Sequence, residues 1–176
     1  MATTRLARRT FAVLAVIATI SGAHGGATAG ERSGFELEFR SRPGEYFGHD
    51  YVIARRLSAS GKWIPERRAG LEPEPGASIG DTLMGVRGVV GFVREDWEIA
   101  PDERYVVRVA RAQYKRALAQ IDRNARRRPT YDLFDQNCNS FVGVVARSAG
   151  ILVPSATFVL PAEYVRRIRE LNAGRR

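Results

Sequence analysis

The sequence predicts an α+β fold, with strands in the first part of the folded chain and helices in the second. Apolar and polar residues alternate over residues 35–39, a period of two that is typical of a half-buried strand. Over residues 110–127 apolar residues recur every three or four positions, as in an amphipathic helix. A run of strands followed by a run of helices indicates an α+β protein rather than alternating β and α units.

Further strands are predicted where β-formers cluster, at residues 51–57, 89–93 and 105–109. A turn at residues 58–61 would let residues 62–67 return as the hairpin partner of the second strand. Residues 70–88 are dense in glycine and proline. We therefore expect a long irregular loop there.

Three helices complete the expected element order. The first covers residues 110–127 and is stopped by Pro129. The second covers residues 138–149, with Asn137 or Asn139 as its N-cap and Gly150 as its C-cap. The third begins at Pro161 and runs to about Leu171.

The first 29 residues are typical of a secretory signal peptide. A basic start precedes a short apolar run, and Ala27-Thr28-Ala29 offers a small-residue cleavage site. Arg8 and Arg9 also resemble a twin-arginine signal, which leaves the export route open. We expect a periplasmic or secreted protein with one domain over residues 30–176.

The chain is basic, with a formal net charge of +9. Solvated helix faces and a basic tail account for such a charge in most proteins. A second interpretation is peripheral contact with anionic components of the cell envelope. Export makes nucleic acid the least expected partner, and nothing in the sequence indicates an oligomeric state.

Cys138 is the single cysteine, so the chain has no intramolecular disulfide. It stands at the start of a predicted helix, where the partial positive charge of the helix end stabilises a thiolate. A thiolate nucleophile needs a base, and His49 is the one histidine after the signal segment. The alternative is an inert, buried cysteine.

Other chemistries lack their residue patterns. One cysteine and one histidine fall short of a structural zinc set, so we expect no metal and no cofactor. The glycines at Gly85 and Gly88 lack the lysine of a phosphate-binding loop. Ser140 lacks the glycine elbow of a serine nucleophile.

With these residues in place, the sequence resembles the permuted papain-like (NlpC-type) cysteine hydrolases. The resemblance is nearest to the lecithin–retinol acyltransferase branch and to uncharacterised exported bacterial proteins. Gly48-His49 opens a strand, Tyr131 lies seven residues before the cysteine, and Asn137-Cys138 is followed by Phe141. In this branch the histidine strand precedes the cysteine helix, as it does here.

The resemblance implies an antiparallel sheet that carries His49 and packs against the helix that carries Cys138. It implies cysteine amidase, peptidase or acyltransferase chemistry on a peptide, amide or acyl bond, with cell-wall peptides as the nearest substrate. Cys138 would attack the carbonyl while His49 transfers protons. Tyr131 and Asn137 would support the substrate or the oxyanion.

The third catalytic residue is the open part of this hypothesis. The family takes it from the strand after the histidine strand, and a hairpin turn at residues 58–61 sets positions near residue 70 opposite His49. Gly70 has no side chain to orient an imidazole, so Glu72 is the candidate and Glu66 the fallback. Without such a residue, the dyad would be weaker or inactive. Two alternatives to an enzyme stay open: a catalytically inactive envelope-binding module on the same fold, and a small exported structural protein with an inert cysteine.

Overall fold

Six strands form one sheet in the order β5-β1-β2-β3-β4-β6, and every neighbouring pair is antiparallel. The computed structural model describes residues 34–44, 46–91 and 94–175. The predicted signal segment, residues 1–29, lies outside the described residues. With several helices beside the antiparallel sheet, the fold is α+β, as the sequence predicts.

The strands are β1 (Phe35–Arg42), β2 (His49–Leu57), β3 (Trp63–Pro73), β4 (Val86–Gly91), β5 (Glu103–Arg108) and β6 (Thr130–Tyr131). The helices are α1 (Ile79–Met84), α2 (Glu95–Glu98), α3 (Arg111–Arg127), α4 (Cys138–Ser148) and α5 (Pro161–Leu171). No helix within the described ranges is both long enough and apolar enough to cross a membrane.

The hydrophobic core lies between one face of the sheet and the three long helices. Alternation along β1, β2 and β3 points six side chains to this face: Leu37, Phe39, Val52, Ala54, Ala69 and Leu71. The buried sides of α3, α4 and α5 cover them, and Phe141, Val142 and Tyr164 are almost fully inaccessible. The opposite face carries the polar residues, and α2 lies against part of it.

Helix α5 covers the predicted residues, and α4 has a predicted N-cap but ends one residue earlier than predicted. Asn137 caps α4, since its Oδ1 accepts a hydrogen bond from the Ser140 N–H at 3.1 Å. At the other end the cap residue is Ala149, and Gly150 follows it with a φ of 79°. This left-handed conformation is the one that glycine adopts without strain after a helix.

The prediction of an irregular loop over residues 70–88 is wrong. Strand β3 continues to Pro73, α1 begins after Ser78, and β4 begins at Val86. A capping box explains α1, because Ser78 and Asp81 each bond the other's backbone N–H. Glycine and proline density therefore marked short connections rather than one long loop.

The β2–β3 hairpin contains a bulge between Ala54 and Arg55. Near the turn Arg56 pairs with Ile64, whereas beyond the bulge Tyr51 pairs with Gly70. The extra residue shifts the register by one, and a shift of one exchanges the two faces of a strand. Because of the bulge, Gly70 and Glu72 lie on the same face as His49 rather than on the core face.

Candidate active site

Cys138 is the first residue of α4 and is 5% exposed. The Asn137–Ser140 capping box fixes the first turn of the helix around it. The first N–H groups of a helix have no partner within the helix, and together they carry a partial positive charge. The thiol therefore lies where a negative charge is stabilised.

His49 opens β2 and is 5% exposed. Gly48 precedes it with a φ of 80°, a conformation that brings the chain sharply into the strand. The imidazole stacks against the Tyr51 ring, with 6.1 Å between ring centroids. The side chain of Cys138 lies close enough to the imidazole to raise its pKa. The fold therefore brings together two residues that are far apart in the sequence.

The pKa of His49 reflects two opposed effects. Burial alone lowers it, but the interactions with Cys138 and Glu72 outweigh burial and raise the pKa from 6.5 to about 10. His49 is therefore positively charged at neutral pH. An imidazolium beside the sulfur is the partner that stabilises a thiolate.

Glu72 lies beside the same imidazole. Its Oε1 is 3.0 Å from His49 Nε2, although neither atom has a hydrogen bond of good angular geometry. We therefore regard the contact as an ion pair that lies off the N–H direction.

The fallback residue Glu66 is engaged elsewhere. Its Oε2 accepts a hydrogen bond from the Tyr114 hydroxyl at 2.8 Å, and its Oε1 pairs with Arg56. Of the two carboxylates that the sequence suggested, the structure places Glu72 at the histidine.

Asp96 and Arg42 belong to the same cluster, and the sequence analysis missed both. Asp96 Oδ1 is 3.9 Å from His49 Nε2 and accepts a hydrogen bond of 2.6 Å from Arg42 Nε. A terminal nitrogen of Arg42 lies 3.6 Å from Glu72 Oε1. Arg42 ends β1, opposite His49 in the register, and that pairing is the signal that could have found it.

By distance alone, His49, Glu72 and Asp96 could hold a metal ion, since their ligand atoms all lie within 4.8 Å of one another. The charges around these three residues do not favour a metal ion. The Arg42 guanidinium already bonds Asp96 and lies next to Glu72, so it supplies the positive charge that two carboxylates attract.

Gly70 provides the space for the imidazole. A Cβ atom built on Gly70 would lie 2.7 Å from His49 Cε1 and closer still to Nε2. No side chain fits there while the ring keeps its position. Gly70 cannot orient the imidazole because it has no side chain. The same lack of a side chain makes room for the ring.

The side chain of Asn137 is used in the fold rather than offered to a substrate. Its Oδ1 caps the helix, and its Nδ2 donates to the Leu133 carbonyl at 2.9 Å. The Cys138 backbone N–H, at the first position of α4, has no acceptor within the helix. Asn139 Oδ1 accepts a weak hydrogen bond from the thiol at 3.6 Å, while its Nδ2 donates to the Val159 carbonyl at 2.7 Å.

Tyr131 lies in β6 and is 9% exposed. Burial raises the pKa of its hydroxyl far above the usual value, and the negative charges of Cys138 and Glu72 raise it further. The hydroxyl therefore stays protonated and can donate a hydrogen bond near the sulfur.

A groove of about 400 Å³ opens at Cys138. Its walls are mainly apolar and include Phe47, Leu83, Tyr131, Leu133, Phe134, Phe158 and Leu160. The Phe134 and Phe158 rings meet at the rim, 5.6 Å apart, and Phe158 is held at a φ of 55°. A bulky residue whose backbone is in the left-handed conformation is strained, so the surrounding segment must hold this ring in place.

Comparisons with known proteins give no relative: no family model, no curated protein and no solved structure matches this chain.

The raised pKa of His49 predicts an NMR titration. The chain has two histidines, and the spectrum of His49→Gln assigns the signal of His49. We expect the midpoint of the His49 titration near pH 10. In Cys138→Ala the midpoint should fall toward or below pH 6.5, because the effect of burial then outweighs that of Glu72, the remaining partner. Because the folded-state pKa is the higher one, this interaction stabilises the fold fully below about pH 6.5 and is lost toward pH 10. A midpoint at or below 6.5 in the unmodified protein would contradict the pairing.

Proposed function

We propose that this protein is an exported cysteine hydrolase or acyltransferase of the permuted papain-like type. The observation that carries the proposal is the position of Cys138 at a helix start beside His49, whose Nε2 lies 3.0 Å from Oε1 of Glu72. A nucleophile, a proton carrier and an orienting carboxylate in this order are the parts of a catalytic triad.

In the first half of the reaction, the Cys138 thiolate attacks the substrate carbonyl carbon. The carbonyl oxygen becomes an oxyanion, and the Cys138 backbone N–H donates to it. His49, already an imidazolium, then gives its proton to the leaving amine or alcohol as the carbonyl re-forms. The product of this half is a thioester on Cys138 and a neutral imidazole.

In the second half, the neutral imidazole takes a proton from water or from an acceptor alcohol or amine. The activated oxygen or nitrogen attacks the thioester, and Cys138 leaves as a thiolate. The Glu72 carboxylate holds the orientation of the imidazole and stabilises its charged form. The dyad returns to its starting state with no net change of protons.

The groove indicates what the acyl part of the substrate is like. Cys138 is one of its lining residues and its walls are mainly apolar, so an apolar acyl chain or an apolar side chain gains the most from binding there. Within the proposal, export places the enzyme in the cell envelope. Two substrate classes should be tested first: cell-wall peptides that contain apolar residues, and acylated molecules.

A panel of chromogenic esters, thioesters and peptide amides tests the proposal. We expect turnover of at least one acyl class by the full chain, faster with longer apolar acyl groups, and a loss of at least about 1000-fold in Cys138→Ala. Turnover that survives in Cys138→Ala would refute the cysteine mechanism. A folded protein that turns over none of these acyl classes would favour the inactive envelope-binding module.

The two carboxylates beside His49 are expected to differ in effect. Glu72→Gln should lower kcat/KM up to about 100-fold, since the carboxylate 3.0 Å from Nε2 no longer orients a charged ring. Asp96→Asn should lower it less, because Asp96 lies 3.9 Å away and is bonded to Arg42. Steady-state kinetics on the best ester of the panel measures both variants. The reverse order of effects would assign the orienting role to Asp96.

A further inference from the structure

Arg42 contacts both carboxylates that lie beside His49. Its Nε donates to Asp96 Oδ1 at 2.6 Å, and one of its terminal nitrogens lies 3.6 Å from Glu72 Oε1. Arg42 is 8% exposed, and the Asp96 side chain is fully buried. The reaction steps proposed for Cys138 and His49 use neither residue. A buried ion pair next to the imidazole therefore needs an explanation of its own, since burying two charges has a cost in free energy.

The sheet and α2 hold the Arg42–Asp96 pair in place. Arg42 ends β1 directly opposite His49 in the register, so both side chains lie on the same face of the sheet. The other terminal nitrogen of Arg42 donates to the Pro43 carbonyl at 3.4 Å. The Tyr51 hydroxyl donates to the Asp96 backbone carbonyl at 2.9 Å, which holds α2 against β2. The guanidinium is therefore fixed beside the imidazole.

Two carboxylates lie near one nitrogen of the imidazole. His49 Nε2 is 3.0 Å from Glu72 Oε1 and 3.9 Å from Asp96 Oδ1. A carboxylate at either distance stabilises the imidazolium, but Nε2 has only one N–H group to donate. Because the Asp96 side chain is buried, water and salt screen its charge very little. Without a cation beside it, Asp96 would draw the imidazolium away from Glu72.

Arg42 interacts with the two carboxylates to different degrees. Its contact with Asp96 is a short, charge-assisted hydrogen bond, whereas its 3.6 Å contact with Glu72 is too long for a hydrogen bond. The Glu72 side chain is 24% exposed, so water also reaches that carboxylate. The charge of Arg42 therefore offsets that of Asp96 most strongly, and Glu72 is left to interact with His49.

We propose that Arg42 is a positioning residue, which neutralises Asp96 so that Glu72 alone orients His49. This inference rests on the proposed function, in which His49 gives its proton to the leaving amine or alcohol. An imidazolium held between two unpaired carboxylates would be a weaker acid and would release that proton more slowly. Arg42 is not among the described residues that line the groove at Cys138, so it acts through Asp96 and not on the substrate.

The NMR titration of His49 measures this role without a substrate. The charged and titratable side chains around the imidazole are Arg42 on β1, Asp50 and Tyr51 on β2, Glu72 on β3, Asp96 on α2 and Cys138 on α4. The test uses the full chain with Cys138→Ala, in which the midpoint is expected toward or below pH 6.5. There, Arg42→Gln should raise the midpoint by at least about one pH unit. Adding Asp96→Asn should cancel most of that rise, because it removes the charge that Arg42 balances.

Steady-state kinetics on the best ester of the panel gives the second measurement. Arg42→Gln should lower kcat at least about tenfold with little change in KM, because the groove keeps its walls. Arg42→Lys should restore part of kcat, since lysine supplies the charge but not the planar fork of donors. In the double variant Arg42→Gln/Asp96→Asn, kcat should return to within about threefold of Asp96→Asn alone.

Arg56→Gln is the matched control. Arg56 lies near the other end of β2, and its Nε also pairs with a carboxylate, that of Glu66. The control should change kcat by no more than about twofold and leave the His49 midpoint in place. Circular dichroism establishes that each variant is folded at the assay temperature. If Arg42→Gln does not fold, the double variant replaces it: a kcat within about threefold of Asp96→Asn supports the role, and a larger loss overturns it.

The failure of this inference can be distinguished from the failure of the proposed function. A midpoint that Arg42→Gln raises and Asp96→Asn restores supports the role of Arg42, even if no acyl substrate is turned over. An unchanged or lowered midpoint in Arg42→Gln, an equal rise in Arg56→Gln, or a double variant as slow as Arg42→Gln overturns it. Absence of turnover by the unmodified protein would count against the proposed function alone.

Discussion

Replacing Gly70 by alanine is expected to lower kcat/KM about 100-fold, although residue 70 takes no part in the chemistry. The new Cβ would lie 2.7 Å from His49 Cε1 and nearer to Nε2, so the imidazole has to move. A displacement of about 1 Å in a catalytic group is enough for a loss of this size. Steady-state kinetics on the best ester of the panel measures the effect.

Gly91→Ala is the matched control for this variant. Gly91 pairs with Gly70 across β3 and β4, and among the described residues a Cβ atom built on it meets nothing within 4 Å. The two variants therefore add the same methyl group to the same ladder pair, but one of them contacts the histidine. Equal kinetics in the two variants would show that the position of the imidazole does not limit the rate.

His49→Gln is expected to lower kcat/KM by about 10²- to 10⁴-fold, the usual contribution of a general acid–base group. Glutamine is polar and of similar length, but it can neither carry the positive charge beside the sulfur nor transfer its proton. The loss should be mainly in kcat, because the groove that holds the acyl part is unchanged.

The split between kcat and KM distinguishes this role from a structural one. A larger KM with an unchanged kcat would show that His49 shapes the binding site and does not act on the proton. Thermal unfolding of His49→Gln, measured beside the kinetics, establishes that the variant remains folded at the assay temperature.

Local sequence patterns predicted several of the strands and helices correctly. Alternation predicted β1, the three-to-four spacing predicted α3, and Asn137 predicted the start of α4. In each case a local pattern determines a local structure, because burying one face requires that pattern.

The composition of the site depends on tertiary structure, and the sequence predicted it only in part. Glu72 was expected because it follows the histidine strand, but the bulge at Ala54 is what turns it toward His49. Asp96 comes from a four-residue helix with no periodic signal, and it lies near the histidine because α2 packs on the same face of the sheet. Neither register shifts nor such contacts can be deduced from spacing alone.

The pairing of Cys138 with His49 is tested most directly by the pH dependence of alkylation. Cys138 is the only cysteine in the chain, so the rate with iodoacetamide reports on this sulfur alone. An unpaired thiol with a pKa near 8.5 is only about 0.3% ionised at pH 6. At that pH we expect the unmodified protein to react roughly 30-fold or more faster than His49→Gln. Identical profiles in the two proteins, both rising as those of a free thiol do, would contradict the ion pair.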